Sequence, residues 1–216
     1  MLPDPVEVCG VLAFPRAILC GGHQICHGFS WGCAFDAAQR DDAGMRRDLL
    51  LVRHAKSAWD DPSLADHDRP LARRGAKALR RLGEHLTRAE HRPDLVLCSS
   101  ARRAVETLDG IRAALPRRAS IDVTDEIYLA NADTLLRLLY NLYGQVRCAM
   151  LVGHNPGIED LALLLVGSGD AGLRAQLAAK LPTGALVALS FDGAWVDLGA
   201  GVAQLDDLFV PRPPRI

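Results

Sequence analysis

The sequence predicts an α/β fold, a layered domain whose central sheet is mostly parallel and mixed near one edge. From Arg46 onward, short apolar runs of strand length alternate with segments whose apolar residues recur at helical spacing, the pattern of β-α-β units. The Asp192-Gly193 pair between two apolar runs is a hairpin signal, and a hairpin adds an antiparallel strand. The 216 residues are enough for one good-sized core.

Each element follows from the local pattern. Four strands are predicted over Leu49 to Val52, Leu95 to Cys98, Ala149 to Val152 and Ala185 to Leu189. The hairpin would pair Leu186 to Phe191 with a strand over Ala194 to Leu198. Four helices are predicted from apolar residues that share one face: Leu79, Leu82 and Leu86; Val105, Leu108, Ile111 and Leu115; Leu135, Leu138, Leu139 and Leu142; and Ile158, Leu161, Leu164 and Leu165.

Residues 1–44 differ from the rest because they show no sustained period, so we expect an irregular extension before a domain over residues 45–216. The interpretation we favour is that Met45 is the native start. The alternatives are a flexible extension, or a zinc site on Cys20, His23, Cys26 and Cys33. No function is assigned to this segment. Cys98 and Cys148 fall in predicted strands and are expected to be reduced core thiols.

Charge and hydropathy exclude several classes of protein. The 25 basic and 26 acidic residues nearly cancel, so no net field would draw the chain to nucleic acid or an anionic membrane. No apolar run is long enough to span a membrane, and the first residues lack the positive charge of a secretory signal. We therefore expect a soluble, cytoplasmic protein.

Polar side chains follow three of the predicted strands. Arg53, His54 and Ser57 come at the end of the first, and His154 at the end of the third. The second strand ends in a serine pair that leads into a helix carrying Arg103 in its first turn. Carboxyl ends of parallel strands open on one side of a sheet. We expect a pocket there with two imidazoles and at least two guanidinium groups.

Such a pocket suits a phosphoryl group. Arginine pairs bidentately with phosphate oxygens and stays charged, and a neutral imidazole nitrogen can attack phosphorus and carry the group covalently. Arg53 and Arg103 would neutralise the equatorial oxygens, and His154 would donate to them. We expect no metal and no cofactor. Ser57 could instead be an ordinary turn hydroxyl, and Arg102 is expected to lie on a solvated face, ion-paired to Glu106.

Five segments, in this order, resemble the histidine phosphatase superfamily (phosphoglycerate mutase-like), and in particular its small SixA-type phosphohistidine phosphatases. They are VRHAKS, DRPLARRG, SSARRAVET, DEIYLA and VGHNPGIEDLA. The similarity runs from about Arg47 to Leu198. It implies a three-layer α/β/α sandwich around the mostly parallel sheet.

The resemblance also implies roles for individual residues. His54 is the nucleophile, Arg53 and Arg103 bind the phosphate, and His154 is the second histidine of the pocket. Ser57 lies where the family often uses a polar residue to bind the transferred group. Glu126 lies nearest the carboxylate that protonates the leaving oxygen in many members, although a phosphorylated imidazole needs such an acid less than an alkoxide does.

Three functions follow as hypotheses. The first is a metal-independent phosphatase that hydrolyses phosphohistidine on a protein partner, such as a phosphotransfer domain or a phosphocarrier, through phosphohistidine on His54. The alternative is a phosphomonoesterase acting on a sugar or nucleotide phosphate with the same nucleophile. The third is a non-catalytic phosphate-binding module. A mutase is disfavoured, because it needs closing loops for which the chain has few residues.

Overall fold

The structure is a computed structural model and describes residues 44–211. These residues form seven strands and five α-helices. The strands are β1 (Arg46–Arg53), β2 (Leu95–Ser99), β3 (Ser120–Thr124), β4 (Cys148–Gly153), β5 (Val166–Gly169), β6 (Leu186–Asp192) and β7 (Ala203–Phe209). The helices are α1 (Arg73–Arg88), α2 (Arg102–Ile111), α3 (Ala132–Tyr140), α4 (Gly157–Leu165) and α5 (Ala171–Ala179). Short 3-10 helices cover Asp66–Asp68, Arg112–Ala114, Asp125–Ile127 and Trp195–Asp197.

All seven strands lie in one sheet, in the order β3-β2-β4-β1-β6-β7-β5. Strand β1 is central, parallel to β4 and antiparallel to β6. Strand β6 is also antiparallel to β7, whereas the β2–β3, β2–β4 and β5–β7 pairs are parallel. The prediction of a mostly parallel sheet, mixed toward one edge, is confirmed.

The core has two parts, one on each face of the sheet. Along β1, Leu49 and Leu51 pack into one part, while Leu50 and Val52 pack into the other, because successive strand residues point to opposite faces. Helices α1 and α2 cover the Leu50 face, and α3, α4 and α5 cover the Leu49 face. The fold is therefore the three-layer α/β/α sandwich that the resemblance implies.

The predicted strand over Ala194 to Leu198 is wrong. Trp195–Asp197 form a 3-10 helix, and the antiparallel partner of β6 begins only at Ala203. Two contacts favour the helical turn: the Asp197 carboxylate accepts from the Ala194 N–H at 2.8 Å, and the buried Trp195 ring donates from Nε1 to the Val146 carbonyl at 2.9 Å. Burial of the tryptophan against the α3 layer outweighs the local hairpin signal.

Besides β7, one helix and two strands were not predicted: α5, β3 and β5. Strand β3 lies at the edge of the sheet and its residues are mostly exposed, so it lacks a continuous apolar run. Strand β5 is half glycine, and α5 buries only Leu177. Leu164, expected on the buried face of α4, is exposed, whereas Ile158, Leu161 and Leu165 are buried as predicted.

Cys98 and Cys148 are buried free thiols, as predicted. Burial raises the pKa of each to about 12, so both are neutral at physiological pH. No helix in residues 44–211 combines the length and apolar character needed to cross a bilayer. The expectations for residues 1–43, including the start at Met45 and the cysteine and histidine ligands, concern a segment outside the described residues.

Candidate active site

The ends of three neighbouring strands bring the predicted pocket residues together. Strand β4 lies between β1 and β2, with Arg53 beside Gly153 and Cys98 beside Val152. The residues that follow these strands therefore emerge side by side. The His54 and His154 rings lie 5.0 Å apart between centroids, tilted by 54°. The two imidazoles are therefore neighbours at this edge of the sheet.

His54 is buried, and its ring is fixed in one orientation. Its Nδ1 lies 2.7 Å from the carbonyl oxygen of Ala55. Because a carbonyl can only accept, Nδ1 carries the proton and Nε2 keeps its lone pair. Burial lowers the pKa of His54 to about 4, and the nearby charges of Arg103, Arg53 and Arg69 act in the same direction. The ring is therefore neutral at pH 7, with one nitrogen able to act as a nucleophile.

His154 is held from both sides of its ring. Nε2 lies 2.8 Å from the Ser99 hydroxyl oxygen, and Nδ1 accepts from Nη2 of Arg103 at 3.3 Å. In this tautomer Nε2 carries the proton and donates to Ser99. Burial lowers the pKa of His154 to about 3, and the charges of His54 and Arg103 lower it further.

Arg103 lies in the first turn of α2 and is buried. Nη1 donates to the backbone carbonyl of Asp66 at 2.5 Å, and Nη2 to its carboxylate at 2.9 Å. Thr107, one turn later, donates to the Arg103 carbonyl at 2.6 Å and accepts from the Ala55 N–H at 3.0 Å. This hydroxyl joins the helix that carries Arg103 to the loop that carries His54, which explains the Arg-Ala-Val-Glu-Thr spacing.

Three guanidinium groups around the pocket have unsatisfied donors. Within residues 44–211, the buried Nε atoms of Arg53, Arg69 and Arg103 have no hydrogen-bond partner. Arg53 donates from Nη1 to the Leu181 carbonyl at 2.7 Å, and burial lowers its pKa while Glu159 opposes the shift. Buried N–H groups without partners are costly. An anion with several acceptor oxygens would satisfy them.

Sequence reasoning missed Asp66, Arg69 and Tyr128. The Asp66 carboxylate accepts from Arg69 Nη2 at 2.9 Å and from the Tyr128 hydroxyl at 2.9 Å, in addition to Arg103. Burial alone would raise the pKa of Asp66, but the bond from Tyr128 and the two arginine charges outweigh it and lower the pKa. Arg69 lies within the DRPLARRG segment and Tyr128 within DEIYLA, whereas Asp66 lies two residues before DRPLARRG. For Arg69 and Tyr128, their place inside segments that resemble the family was the signal that could have identified them.

Two aromatic side chains, of Tyr128 and Trp59, pack against pocket residues. The Tyr128 ring meets His154 edge-on at 5.6 Å between centroids. The guanidinium carbon of Arg69 lies 3.4 Å from the centroid of the exposed Trp59 ring. Within the segment between Ala58 and Asp68, the Asp66 carboxylate is thus paired with Arg69 and Arg103.

The remaining predicted residues differ in burial. Ser57 is buried and forms an isolated antiparallel bridge with Leu71. Glu126 is exposed, in the 3-10 helix Asp125–Ile127, with its N–H donating to Thr124 Oγ1 at 3.2 Å. Arg102 pairs with Glu106 at 2.7 Å on the surface of α2, as expected. The structure thus groups His54, His154, Arg53 and Arg103, whereas Glu126 is exposed.

Comparison with known proteins gives consistent matches. Residues 49–128 match the family model described as the histidine phosphatase superfamily (branch 1). The uncharacterised Mycobacterium tuberculosis protein Rv1276c is 35% identical over 163 residues, covering 74% of this chain and all of the relative. The structure is similar to one described as the "putative phosphohistidine phosphatase SixA" of Nakamurella multipartitia. The two share 29% identity with a TM-score of 0.67, and the match covers 79% of this chain and 99% of that one. A structure described in the same words, from Agrobacterium tumefaciens, is 31% identical with a TM-score of 0.64. That match covers 76% of this chain and 99% of the other chain.

Proposed function

Because the chain belongs to the histidine phosphatase superfamily, and to its SixA-type members, we propose that it hydrolyses phosphohistidine on a protein partner through a phosphohistidine formed on His54. The observation that carries the proposal is a neutral imidazole with a free Nε2 at a pocket whose three arginines keep buried, unpaired donors. A nucleophile beside unsatisfied cationic donors suits attack on a bound phosphoryl group.

Binding of the phosphoryl group uses the arginines and His154. Arg53 and Arg103 donate to its equatorial oxygens, which carry most of the charge in the transition state. The phosphoryl dianion replaces Arg103 at Nδ1 of His154 and offsets the burial that lowers the pKa of this ring. His154 then takes up a proton and donates it in a hydrogen bond to a phosphoryl oxygen, while Nε2 keeps its contact with Ser99.

The first chemical step transfers the phosphoryl group between two imidazoles. A bond forms between His54 Nε2 and phosphorus as the bond from phosphorus to the substrate's histidine nitrogen breaks. When the substrate's other ring nitrogen carries a proton, the substrate histidine leaves as neutral imidazole. The Ala55 carbonyl stabilises the positive charge that develops on the His54 ring, because it accepts from Nδ1–H.

The second step releases phosphate. Water attacks phosphorus on the face opposite Nε2, loses a proton to solvent, and the bond between phosphorus and His54 breaks. The products are inorganic phosphate and neutral His54, ready for another turnover. The low pKa of His54, about 4, keeps the free enzyme in its nucleophilic form across the physiological range.

Glu126 as general acid stays a prediction with its own test. Glu126 is an exposed residue in the 3-10 helix Asp125–Ile127. If Glu126 protonates leaving groups, Glu126→Gln slows hydrolysis of alkyl phosphates far more than hydrolysis of phosphohistidine or nitrophenyl phosphate. An equal effect on all three substrates would count against that role.

A protein substrate is favoured by the surface around the pocket. Trp59 is 68% exposed, and its ring packs on Arg69. Leu129 is 58% exposed and follows Tyr128, whose hydroxyl binds Asp66. Exposed large apolar side chains beside a catalytic pocket are typical of protein contact surfaces, in which tryptophan is enriched.

The test compares full-length wild type and His54→Ala on a phosphohistidine-bearing protein and on an aryl phosphate, with and without a chelator. We expect turnover that resists the chelator and disappears in His54→Ala, and a wild-type phosphoenzyme that is labile in acid and stable in base. We also expect kcat/KM to be at least tenfold higher for the protein. Activity in His54→Ala would refute the nucleophile, and a preference for sugar or nucleotide phosphates would select the phosphomonoesterase.

A matched surface variant separates partner recognition from chemistry. Leu129 has φ +51°, a conformation that asparagine tolerates, so Leu129→Asn removes apolar surface while keeping the backbone. We expect a rise in KM for the protein substrate of severalfold and no change for the aryl phosphate. An equal loss on both substrates would show that Leu129 supports the pocket rather than the partner.

A further inference from the structure

A second cluster of chemically active side chains lies away from the pocket. His85 belongs to the last turn of α1, His91 follows the helix, and Asp207 lies on β7. Nε2 of His85 lies 2.5 Å from Asp207 Oδ2, and Nε2 of His91 lies 3.3 Å from the same oxygen. The three candidate ligand atoms are all within 4.8 Å of one another. We call these residues the His-His-Asp cluster.

The chain turn after α1 brings the two histidines together. Ala89 ends the helix, and Glu90 adopts φ +55°. The His91 N–H then donates to the Leu86 carbonyl at 3.1 Å, and the Glu90 N–H donates to the Thr87 carbonyl at 3.3 Å. This pair of bonds is the Schellman arrangement. It folds the chain back so that His91 returns to the side of the helix that carries His85.

The separations fit a transition-metal ion. Zinc binds imidazole nitrogen and carboxylate oxygen at about 2.0–2.2 Å, which places ligand atoms of a tetrahedral site about 3.3–3.5 Å apart. The His91 to Asp207 separation of 3.3 Å already meets this requirement. The 2.5 Å separation between His85 and Asp207 needs to open by less than about 1 Å, which a side-chain rotation provides.

The surroundings suit an ion that keeps water ligands. The His85, His91 and Asp207 side chains are 19%, 16% and 30% exposed, so solvent reaches the cluster without dispersing it. A cavity of about 280 Å³ opens beside His91, with room for several water molecules. On the other side, the Phe209 ring packs against His85 at 4.8 Å between centroids and limits its movement.

We propose that His85, His91 and Asp207 bind one divalent transition-metal ion of the zinc type, with water completing the coordination. Two nitrogens and one carboxylate oxygen are ligands that zinc prefers. The ion joins the end of α1 to β7 and stabilises the fold. It takes no part in catalysis, because His85 lies ten residues along α1 from Gly75, which touches the Lys56 backbone near His54, and ten helical residues span about 15 Å.

The test uses the full-length chain, stripped with chelator and titrated with Zn²⁺ by calorimetry and with Co²⁺ by absorption spectroscopy. Cysteines outside residues 44–211 could also bind metal, and Co²⁺ bound by thiolate shows a charge-transfer band in the near ultraviolet that nitrogen and oxygen ligands lack. We expect one equivalent of Co²⁺ without that band. Zn²⁺ should raise Tm by several degrees, because a ligand that binds only the folded state stabilises it.

The variants are chosen as matched pairs. Asp207→Asn removes the shared oxygen ligand, while Asp206→Asn removes the neighbouring charge, which pairs with Arg46 instead. We expect at least a tenfold loss of affinity in Asp207→Asn and in His91→Gln, and wild-type binding in Asp206→Asn. Circular dichroism of both ligand variants checks that they fold. Equal binding by all the variants, or only a thiolate spectrum, would overturn the proposal and leave a hydrogen-bonded His-His-Asp cluster.

Discussion

Arg103 contacts Asp66 twice, through the backbone carbonyl at 2.5 Å and through the carboxylate at 2.9 Å. The same carboxylate binds Arg69 and Tyr128. One side chain from the loop before α1 therefore orients two of the three arginines of the pocket, together with the tyrosine that packs against His154. Side chains held in this way lose little freedom when a phosphoryl group binds.

Loss of the Asp66 carboxylate should impair catalysis. Charge-assisted hydrogen bonds contribute about 1.5–3 kcal/mol each, and part of this interaction orients Arg103 for the phosphoryl oxygens. We predict a 10- to 100-fold fall in kcat/KM for Asp66→Ala and a smaller fall for Asp66→Asn, measured with an aryl phosphate. Asp68→Asn, a neighbouring exposed carboxylate, is the control. A faster Asp66→Ala would mean that the carboxylate competes with substrate for Arg103.

Mild acid should destabilise the protein through its two buried pocket histidines. Burial lowers the pKa of His54 to about 4 and of His154 to about 3, against an ordinary value of about 6.5 in the unfolded chain. Between these values the unfolded state binds more protons, so the free energy of unfolding falls as pH falls from 6.5. We predict a loss of about 1–2 kcal/mol per histidine between pH 7 and 5.

Urea unfolding at pH 7 and 5 measures this loss. In His54→Gln or His154→Gln, the difference between the two pH values should shrink, because one neutral buried imidazole has been removed. Asp66 and Asp207 also have lowered pKa values. Their stabilisation is present above the ordinary aspartate value and is lost only in stronger acid, outside this window. An unchanged pH dependence in both variants would contradict the histidine assignment.

Gly75 should tolerate no side chain. A Cβ at this position would lie 2.3 Å from the Lys56 carbonyl oxygen, so Gly75→Ala must push α1 away from the loop that carries His54. We predict a loss of about 1–3 kcal/mol in stability, together with reduced kcat. Gly83→Ala on the same helix is the matched control, because its Cβ would meet Ala114 at an ordinary 3.6 Å. It should be neutral or stabilise by up to about 1 kcal/mol.

Thr107→Val should remove the hydrogen-bonded link between the loop that carries His54 and the helix that carries Arg103. The substitution keeps the shape but removes the hydroxyl that bridges Ala55 and Arg103, leaving a buried N–H unpaired at a cost of about 1–3 kcal/mol. Chemical unfolding and steady-state kinetics should both show the loss. Thr87→Val is the control, because its hydroxyl makes an exposed bond to the Gly83 carbonyl. Similar losses in the two variants would contradict the bridging role.

The sequence predicted the parts of the fold in which local pattern and burial agree. Strands β1, β2, β4 and β6 are almost fully buried apolar runs, and runs of this kind are visible without tertiary information. Strand β3 has no such run because it lies at an edge, and Ala194–Leu198 depends on where Trp195 is buried. Both require knowledge of what packs against them.

The pocket residues were predictable for a related reason, since His54 and His154 follow buried strands whose ends must adjoin in a parallel sheet. The part played by Asp66 was not predictable, because it depends on the path of the loop that runs from β1 to α1. The His-His-Asp cluster was hidden because Asp207 is distant from both histidines in the chain. Only the packing of α1 against β7 brings the three side chains together.

The central position of β1 has a consequence for synthesis of the chain. Its partners β4 and β6 begin only at Cys148 and Leu186, and the backbone of Arg53 bonds to Gly184 and Ala185. A ribosome adding about 5–20 residues per second needs several seconds to reach these residues after His54 has been made. During that interval β1 is an apolar strand with two open edges, and the growing chain is an aggregation-prone intermediate without a formed pocket.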